Sequence, residues 1–386
     1  MDVQARRTFP LLALAFGLAG LAAFPAGAQD RSPILDAGFR HTCALGPDGG
    51  ALCWGSNHAG ELGDGTDTLR LQPTLAGGGR SFRTLSAGQH MTCGVTDGSD
   101  AFCWGLNVYG ALGDGTTTNR AEPTPVAGDH DFTTVSAGKT HTCALDADGR
   151  AWCWGNNGMG QLGDGTLERH SAPARVSGDE ELTRVTAGGQ HTCALDDDDD
   201  AWCWGANTSG QLGTGQAEGV YREPVPVETD HEFDGIQAGQ THTCALDDGE
   251  AFCWGLNNFG ALGDGSDTTR ATPTAVSGDH ELRFLTVGMG HTCGLTSEGR
   301  ALCWGFNSAG QLGDGSLTNR MKPTPVRGEH TFVALSAGDY HTCGLTDTGE
   351  AWCWGLQPDA VLGDTSPEAA WVEPRRVGED VIFGGT

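Results

Sequence analysis

Short runs of alternating apolar and polar residues flank glycine-rich turns throughout the chain. In residues 41–55, His-Thr-Cys-Ala-Leu and Ala-Leu-Cys-Trp-Gly stand on either side of Gly-Pro-Asp-Gly-Gly. Two such runs around a turn of this composition predict a β-hairpin. Because residue 48 is midway between Cys43 and Cys53, the two cysteines are expected to lie opposite each other, near disulfide range.

Alternation also assigns the two faces of the second strand of this hairpin. Cys53 shares one face with Ala51, and Trp54 shares the other with Leu52, because successive side chains of a strand point to opposite faces. Both faces must be covered, as expected for hairpins that stack as neighbouring blades. The position of Leu52 holds a large apolar residue in every later repeat: Phe102, Trp152, Trp202, Phe252, Leu302 and Trp352.

The hairpin recurs seven times, and the triplet Cys-Trp-Gly returns at every 50th residue. One further cysteine precedes each triplet, and in the fifth repeat the turn between them is one residue shorter. Self-similarity of this kind indicates a repeat architecture rather than separate domains. The seven pairs contain all 14 cysteines: Cys43 and Cys53, Cys93 and Cys103, Cys143 and Cys153, Cys193 and Cys203, Cys244 and Cys253, Cys293 and Cys303, and Cys343 and Cys353.

Each repeat contains two further predicted strands. One lies in the Leu-Ser-Ala-Gly run, as at residues 85–88, and the other near residues 123–126, where proline restricts it to a sheet edge. Four strands in about 50 residues predict one blade of a β-propeller, and seven repeats predict an all-β, seven-bladed ring. Because both ends of the chain hold partial repeats, the N- and C-terminal strands are expected to close the ring.

The composition restricts the class of partner. The chain of 386 residues has 50 Asp and Glu against 22 Lys and Arg, a net charge of −28. Phosphate groups would be repelled, which argues against nucleic acid and anionic membranes. The charge suggests a basic partner or a salty environment instead, and the apolar content of 38% is sufficient for a folded core.

Residues 1–28 stand outside the repeats and resemble a secretory signal peptide. Arg6 and Arg7 precede an apolar run from Leu11 to Phe24, and small residues end at Ala28. A run of about 14 residues is too short to span a bilayer. We expect residues 29–386 to form the mature propeller, secreted or periplasmic and not inserted in a membrane. The sequence leaves Sec and twin-arginine export open.

The cysteine pattern has three interpretations. An even count, the cross-strand spacing and the signal peptide favour seven disulfides, one within each blade. Zinc sites use four ligands, commonly with a short Cys-x-x-Cys spacing. Here the pairs are ten residues apart, or nine in the fifth repeat, and 14 cysteines do not divide into fours. Buried reduced thiols are the third interpretation.

Two other recurrent features have both structural and metal-binding interpretations. The histidines either bond neighbouring backbone groups or form a metal-binding ring on the axis, and their recurrence favours the first. The acidic loops either form turns, with Asp–Arg ion pairs, or bind calcium. We therefore predict no metal and no cofactor. The histidines are His41, His141, His191, His242, His291 and His341, with Met91 in the second repeat, and the arginines are Arg70, Arg120, Arg169, Arg222, Arg270 and Arg320.

Two repeats depart from the pattern in the loop that follows Leu-Gly. In the fourth repeat, Thr214 replaces the usual aspartate and the loop gains Tyr221. In the seventh, Pro358 and Trp371 appear. Because equivalent loops fall on one face of a propeller, these four residues are the candidate partner contacts. The alternative is repeat drift with adjustment at the closure seam.

The repeat resembles the regulator of chromosome condensation repeat. The resemblance rests on Ala-Gly-x-x-His-Thr-Cys-Ala-Leu followed by Cys-Trp-Gly-x-Asn-x-x-Gly-Gln-Leu-Gly-Asp-Gly-Thr, and it covers residues 34–383. It implies a seven-bladed propeller. The founding member of that family acts on the small GTPase Ran and binds chromatin. Relatives include a secreted β-lactamase inhibitor and a plant ultraviolet receptor, so the fold alone does not determine the function.

No phosphate loop precedes a helix, and no unique nucleophile stands out from the nearly symmetric repeats. We therefore predict a monomeric, non-enzymatic scaffold that recognises a protein or cell-surface ligand through its loops. One alternative is an exchange factor like the family founder, which is disfavoured because a secreted chain does not meet a cytosolic GTPase. The other is a secreted enzyme inhibitor.

Overall fold

A computed structural model describes residues 35–356, 362–363, 370–378 and 381–384. The predicted signal peptide and Pro358 lie outside the described residues. Inside them the chain forms 28 β-strands and no helix. These strands make seven separate four-stranded sheets, which confirms the predicted seven-bladed, all-β propeller.

The strands follow one another blade by blade. Blades 1 and 2 contain β1 (Leu35–Ala37), β2 (His41–Leu45), β3 (Ala51–Gly55) and β4 (Arg70–Leu75), then β5 (Phe82–Ala87), β6 (Met91–Thr96), β7 (Ala101–Gly105) and β8 (Arg120–Pro125). Blades 3 and 4 contain β9 (Phe132–Ala137), β10 (His141–Asp146), β11 (Ala151–Gly155) and β12 (His170–Arg175), then β13 (Leu182–Ala187), β14 (His191–Asp196), β15 (Ala201–Ala206) and β16 (Val220–Pro226). Blades 5 and 6 contain β17 (Gly235–Ala238), β18 (His242–Asp247), β19 (Glu250–Gly255) and β20 (Arg270–Ala275), then β21 (Leu282–Val287), β22 (His291–Thr296), β23 (Ala301–Gly305) and β24 (Arg320–Pro325). Blade 7 contains β25 (Phe332–Ala337), β26 (His341–Thr346), β27 (Ala351–Leu356) and β28 (Ala370–Arg376).

Within each blade the four strands pair in chain order, and every pairing is antiparallel. The first strands of neighbouring blades contact one another around the whole ring, so they surround the central axis. The fourth strand is the outer edge and contains the recurrent proline, as predicted from its missing N–H group.

The order of the strands gives the propeller two different faces. In blade 2, residues 88–90 and 106–119 connect strands at one end, where the Leu106 N–H donates to the His90 carbonyl at 2.8 Å. We call this end the loop face. Residues 97–100 form the central hairpin at the other end, beside the crossover to blade 3, and the Phe132 N–H donates there to the Ser99 carbonyl at 3.0 Å. We call this end the hairpin face.

Both ends of the chain complete the first blade. The Phe383 N–H donates to the Gly349 carbonyl at 2.9 Å, as the Phe82 N–H does to Gly49 at 2.8 Å in the regular repeat. The next N–H, that of Gly384, donates to the Leu45 carbonyl at 2.8 Å. The C-terminal segment therefore begins the inner strand that residues 35–37 finish, which confirms the predicted closure.

The core lies between blades, and its central element is the tryptophan of each Cys-Trp-Gly triplet. Trp204 has no exposed surface and packs on the preceding blade, against Leu162 and the Cys143–Cys153 pair. One face of each hairpin therefore carries the disulfide and the other carries the tryptophan, as alternation predicted. The seven equivalent rings are fully buried: Trp54, Trp104, Trp154, Trp204, Trp254, Trp304 and Trp354.

Candidate functional site

All seven predicted cysteine pairs are disulfides. Each joins directly opposed residues of the second and third strands, such as Cys143 and Cys153, with Cα atoms 4.1 Å apart. The fifth pair closes a loop that is one residue shorter with the same Cα separation. No free cysteine remains, so no thiolate is left for the zinc alternative. Seven such bridges indicate folding in an oxidising environment.

The recurrent histidines join neighbouring blades. His191 Nε2 lies 3.0 Å from the Thr243 hydroxyl of the next blade, and that hydroxyl donates to the Gln211 carbonyl at 2.8 Å. Because the hydroxyl proton is used there, the imidazole is the donor to threonine. The expectation of a backbone partner was therefore wrong. The six bonds join His41 to Thr92, His141 to Thr192, His191 to Thr243, His242 to Thr292, His291 to Thr342 and His341 to Thr42, at 2.9–3.0 Å.

The surroundings of these histidines hold them neutral. Burial lowers the pKa of His141 and of His191 to about 3, and Nδ1 has no hydrogen-bond partner in either ring. Each ring lies at its own seam between blades rather than in a common ligand set. In the part of the chain that the structure describes, no three metal-ligating side chains come together.

The aspartate after each Leu-Gly pair organises its own loop. Asp64 accepts from Arg70 Nε at 2.6 Å and from the Thr66 hydroxyl at 2.7 Å, and Asn57 Nδ2 donates to it at 3.1 Å. Burial alone would raise the pKa of this carboxyl, but the bonds from Thr66 and Arg70 hold it below its ordinary value. The predicted Asp–Arg pairs recur in blades 2, 5 and 6. In blade 3, Asp164 pairs with His170 instead of Arg169.

The register explains why the fourth blade departs from this pattern. Tyr221 pairs with Gly205 at the ladder position that Arg70 occupies opposite Gly55. Both members of the usual ion pair are therefore replaced together, since Thr214 stands in place of the aspartate and accepts from Asn207 at 3.1 Å. Arg222, the residue predicted for this pair, is one position beyond.

Trp371 occupies the same ladder position in the seventh blade, opposite Gly355. Its ring is 1% exposed and packs with Phe383 and Val377 at the closure seam. Trp371 therefore belongs to the core, and its ring is not a partner contact. Thr214 and Tyr221 are half-buried on the loop face and stay candidate contacts.

Acidic side chains are concentrated on the hairpin face of blades 3 to 6. There the segments 177–181, 196–200, 228–234, 247–250 and 277–281 together have 17 acidic residues in 26 positions and contain no Lys or Arg. Asp196 is buried, accepting from Trp202 Nε1 at 2.8 Å, whereas Asp197, Asp198 and Asp199 are exposed. We call these five segments the acidic sector.

The loop face differs in character. Its aspartates are mostly used in the ion pairs described above, and large apolar side chains stand exposed at the tips of its turns. Val108 and Tyr109 are examples, as is Phe259, which packs on Phe306 with ring centres 4.8 Å apart. The two faces therefore offer chemically distinct surfaces, one strongly anionic and one partly apolar.

The fold and the disulfides define a disulfide-tied, seven-bladed propeller. The sequence model of the RCC1-like domain family matches residues 25–245 and 130–385. The chain therefore belongs to the RCC1-like domain family. A search of curated proteins found no match to this sequence.

Solved structures show the same fold. Human WBSCR16 is 23% identical with a TM-score of 0.73, over 81% of this chain and 86% of that one. Prp20p from Saccharomyces cerevisiae, studied for its binding to Gsp1p and histones, is 20% identical with a TM-score of 0.78, over 92% and 89%. The ectodomain of the Physcomitrella patens receptor kinase CR4 is 27% identical with a TM-score of 0.57, over 83% and 72%.

Among the described residues, none forms a helix with the length and apolar character needed to cross a membrane.

Proposed function

We propose that this protein is a secreted or periplasmic, non-enzymatic scaffold that binds a basic protein on its hairpin face. The observation that carries the proposal is the acidic sector, which places 17 carboxylates on one face. Arginines lie near only a few of them, as Arg175 does 3.9 Å from Asp179 and Arg184 beside Asp234. Such a surface attracts cationic partners and accelerates their association. The predicted signal peptide and the seven disulfides support an extracytoplasmic location.

The propeller frame supports a binding role. Every blade has its own disulfide, and every seam is fixed by buried side chains such as Trp204 and His191. A frame of this kind holds loops in position before a partner arrives, which lowers the entropy lost on binding. Prp20p of yeast, which has the same fold, binds histones, and histones are basic proteins. The CR4 neighbour is an ectodomain.

Charge-removing variants with a matched control test the proposal. The first variant carries D197N, D198N, D199N and D200N, which removes four exposed charges from the acidic sector and leaves the buried Asp196 in place. Asn tolerates the positive φ of Asp199. The control removes the same charge from exposed positions of the loop face: Asp67, Glu168, Glu218 and Asp267, changed to Asn or Gln.

The tagged full chain is expressed in its native host, and the protein that co-purifies under oxidising conditions is identified. We expect a basic partner that the wild type and the control both retain, with affinity that falls as salt rises. The four-Asp variant should bind it at least tenfold more weakly. Failure to recover a partner, equal loss in both variants, or loss only in the control would contradict binding on the hairpin face. A Tyr221→Ala variant then reports whether the loop face is used instead.

A further inference from the structure

At the mouth of the central channel, the turns that the structure describes differ strongly from blade to blade. After the recurrent glycine that ends each inner strand, the blades carry Phe39, Gln89, Lys139, Gly189, Gln240, Met289 and Asp339 in turn. We call this set the axial mouth. It opens on the loop face, away from the acidic sector, because it belongs to the turns between first and second strands.

The backbone under the axial mouth is closely packed. The Lys139 N–H donates to the Gly188 carbonyl at 3.1 Å, and the Gly189 N–H donates to the Gly239 carbonyl at 3.0 Å. A Cβ atom on Gly188 would lie 2.4 Å from the Gly239 carbonyl oxygen. The side chains of the mouth therefore stand on a fixed platform above a cavity of about 140 Å³.

Three charged residues line this cavity. Asp36 has its acceptors occupied by the Ala37 and Ala87 N–H groups and the Ser336 hydroxyl, whereas Lys139 and Asp339 face the cavity as two opposite charges that form no ion pair with each other. Lys139 belongs to blade 3 and Asp339 to blade 7, and both side chains line the opening. Their charges attract, yet among the described residues Lys139 has no carboxylate within 4.0 Å. The Asp339 carboxylate accepts from Gln240 Nε2 at 3.3 Å. Burial raises the pKa of Asp339 to about 6, against the opposing effects of Lys139 and His90.

We propose that the axial mouth binds a small dipolar molecule of the α-amino acid class, with its ammonium group on Asp339 and its carboxylate on Lys139. A ligand with both charges neutralises both half-buried groups, whereas a simple ion neutralises one. Charge-assisted hydrogen bonds of this kind are stronger than neutral ones. The cavity suits a molecule of this size, because pockets for larger organic ligands occupy about 300–1,000 Å³.

Neighbouring side chains suit the remaining parts of such a ligand. Gln240 and Gln89 supply amide groups at the opening. On the other side, Phe39 packs edge-on against His90 at 5.1 Å between ring centres and lies 6.3 Å from the ring of Tyr340. Of these three residues, Phe39 lines the cavity, and the Arg40 guanidinium lies 5.0 Å from the centre of its ring. The remaining surface of the Phe39 ring is what an apolar amino-acid side chain would contact.

Binding is tested on the purified full chain with a defined mixture of the twenty amino acids, observed by ligand-detected NMR. Each amino acid that binds is then measured by calorimetry beside its N-acetyl derivative and its methyl ester. We expect binding that weakens at least tenfold, or about 1.4 kcal/mol, when either charge is blocked. Absence of binding at millimolar concentrations, or equal binding of the blocked derivatives, would overturn the proposal.

Variants locate the site. The variants Asp339→Asn and Lys139→Gln change residues of different blades. Each should weaken binding at least tenfold. If one variant does not fold, the other still tests the site. The control Lys322→Gln changes the other lysine of the chain, which is exposed on β24, and should bind like the wild type. Unchanged binding in both mouth variants would overturn the assignment. Lys139→Gln should still retain the basic partner, so this proposal and the proposed function fail independently.

Discussion

The imidazole of His191 donates a hydrogen bond to the hydroxyl of Thr243 across the seam between blades 4 and 5, with 3.0 Å between the heavy atoms. Both side chains have no exposed surface. The same bond joins six of the seven seams, and the sheets share no strand. The cohesion of the ring therefore comes from side-chain bonds and tryptophan packing, together with backbone bonds between blades such as that from the Gly165 N–H to the Arg222 carbonyl.

Removal of the threonine hydroxyl tests this seam. Thr243→Val should lower the free energy of unfolding by about 1–3 kcal/mol, because it leaves the buried His191 N–H and the Gln211 carbonyl without their partner. Chemical denaturation measures the change. The exposed Thr117→Val should change stability by no more than about 0.5 kcal/mol. Equal effects would mean that the seam bond contributes nothing.

The close approach of inner strands gives a second prediction. Gly188→Ala should destabilise the protein by about 1–3 kcal/mol, because the new methyl group would meet the Gly239 carbonyl 2.4 Å away. Gly98→Ala is the matched control, since the nearest atom to its new Cβ is 3.5 Å away. A stable Gly188→Ala protein with an unchanged denaturation midpoint would contradict the packing at the axis.

The buried tryptophans give the largest expected effect. Trp204→Ala should lower the free energy of unfolding by about 3–5 kcal/mol, because it leaves a cavity between blades 3 and 4. It also removes the bond from Trp204 Nε1 to the Gln161 carbonyl. Trp202→Ala should cost less, since that ring is partly exposed. An unchanged thermal midpoint for Trp204→Ala would show that this ring is not buried between blades and that the two faces of its strand are assigned incorrectly.

The neutral histidines predict loss of stability in mild acid. Burial lowers the pKa of His191 to about 3 from an ordinary value of 6.5. Below pH 6.5 this ring therefore becomes protonated in the unfolded chain while it stays neutral in the folded chain. The stability contributed by the neutral ring is complete above pH 6.5 and is lost progressively as the pH falls toward 3. At pH 5 the loss amounts to about 2 kcal/mol for each such histidine.

Urea denaturation at pH 7.5 and pH 5.0 measures this linkage. His191→Gln removes one titrating ring, so its loss of stability between the two pH values should be about 2 kcal/mol smaller than that of the wild type. The exposed His58→Gln should retain the full loss. Identical pH dependence in all three proteins would contradict the neutral state of the buried ring.

Much of the fold could be predicted because the information is local and repeated. A turn centred on residue 48 requires Cys43 and Cys53 to face each other, and alternation then places Trp54 on the opposite face. The partial repeats at the chain ends predicted closure, which the bond from Phe383 to Gly349 confirms. Each of these inferences needed only spacing and strand geometry.

Contacts between blades could not be predicted in the same way. The partner of His41 is Thr92, in another sheet, and its identity depends on how far neighbouring blades are displaced. The recurrence of His-Thr-Cys could have indicated this contact, because the histidine and the threonine that bond across each seam are repeated together. The predicted Asp–Arg ion pair was wrong by one residue in blade 3, where His170 rather than Arg169 pairs with Asp164.

The candidate partner contacts show a related limit. Trp371 was expected in a partner surface because it departs from the repeat, yet its ring fills the closure seam beside Phe383. The acidic sector becomes evident only when hairpins and crossovers are seen to share one face. A residue that breaks a repeat therefore marks either a binding surface or a local packing solution, and burial decides between them.

The most direct test of the central claim is the intact mass of the protein made by its native host, measured after alkylation with and without prior reduction. We predict a chain that lacks residues 1–28 and takes up 14 alkyl groups only after reduction, since all 14 cysteines are in disulfides. An uncut chain that is alkylated without reduction would contradict both the extracytoplasmic location and the disulfide-tied propeller.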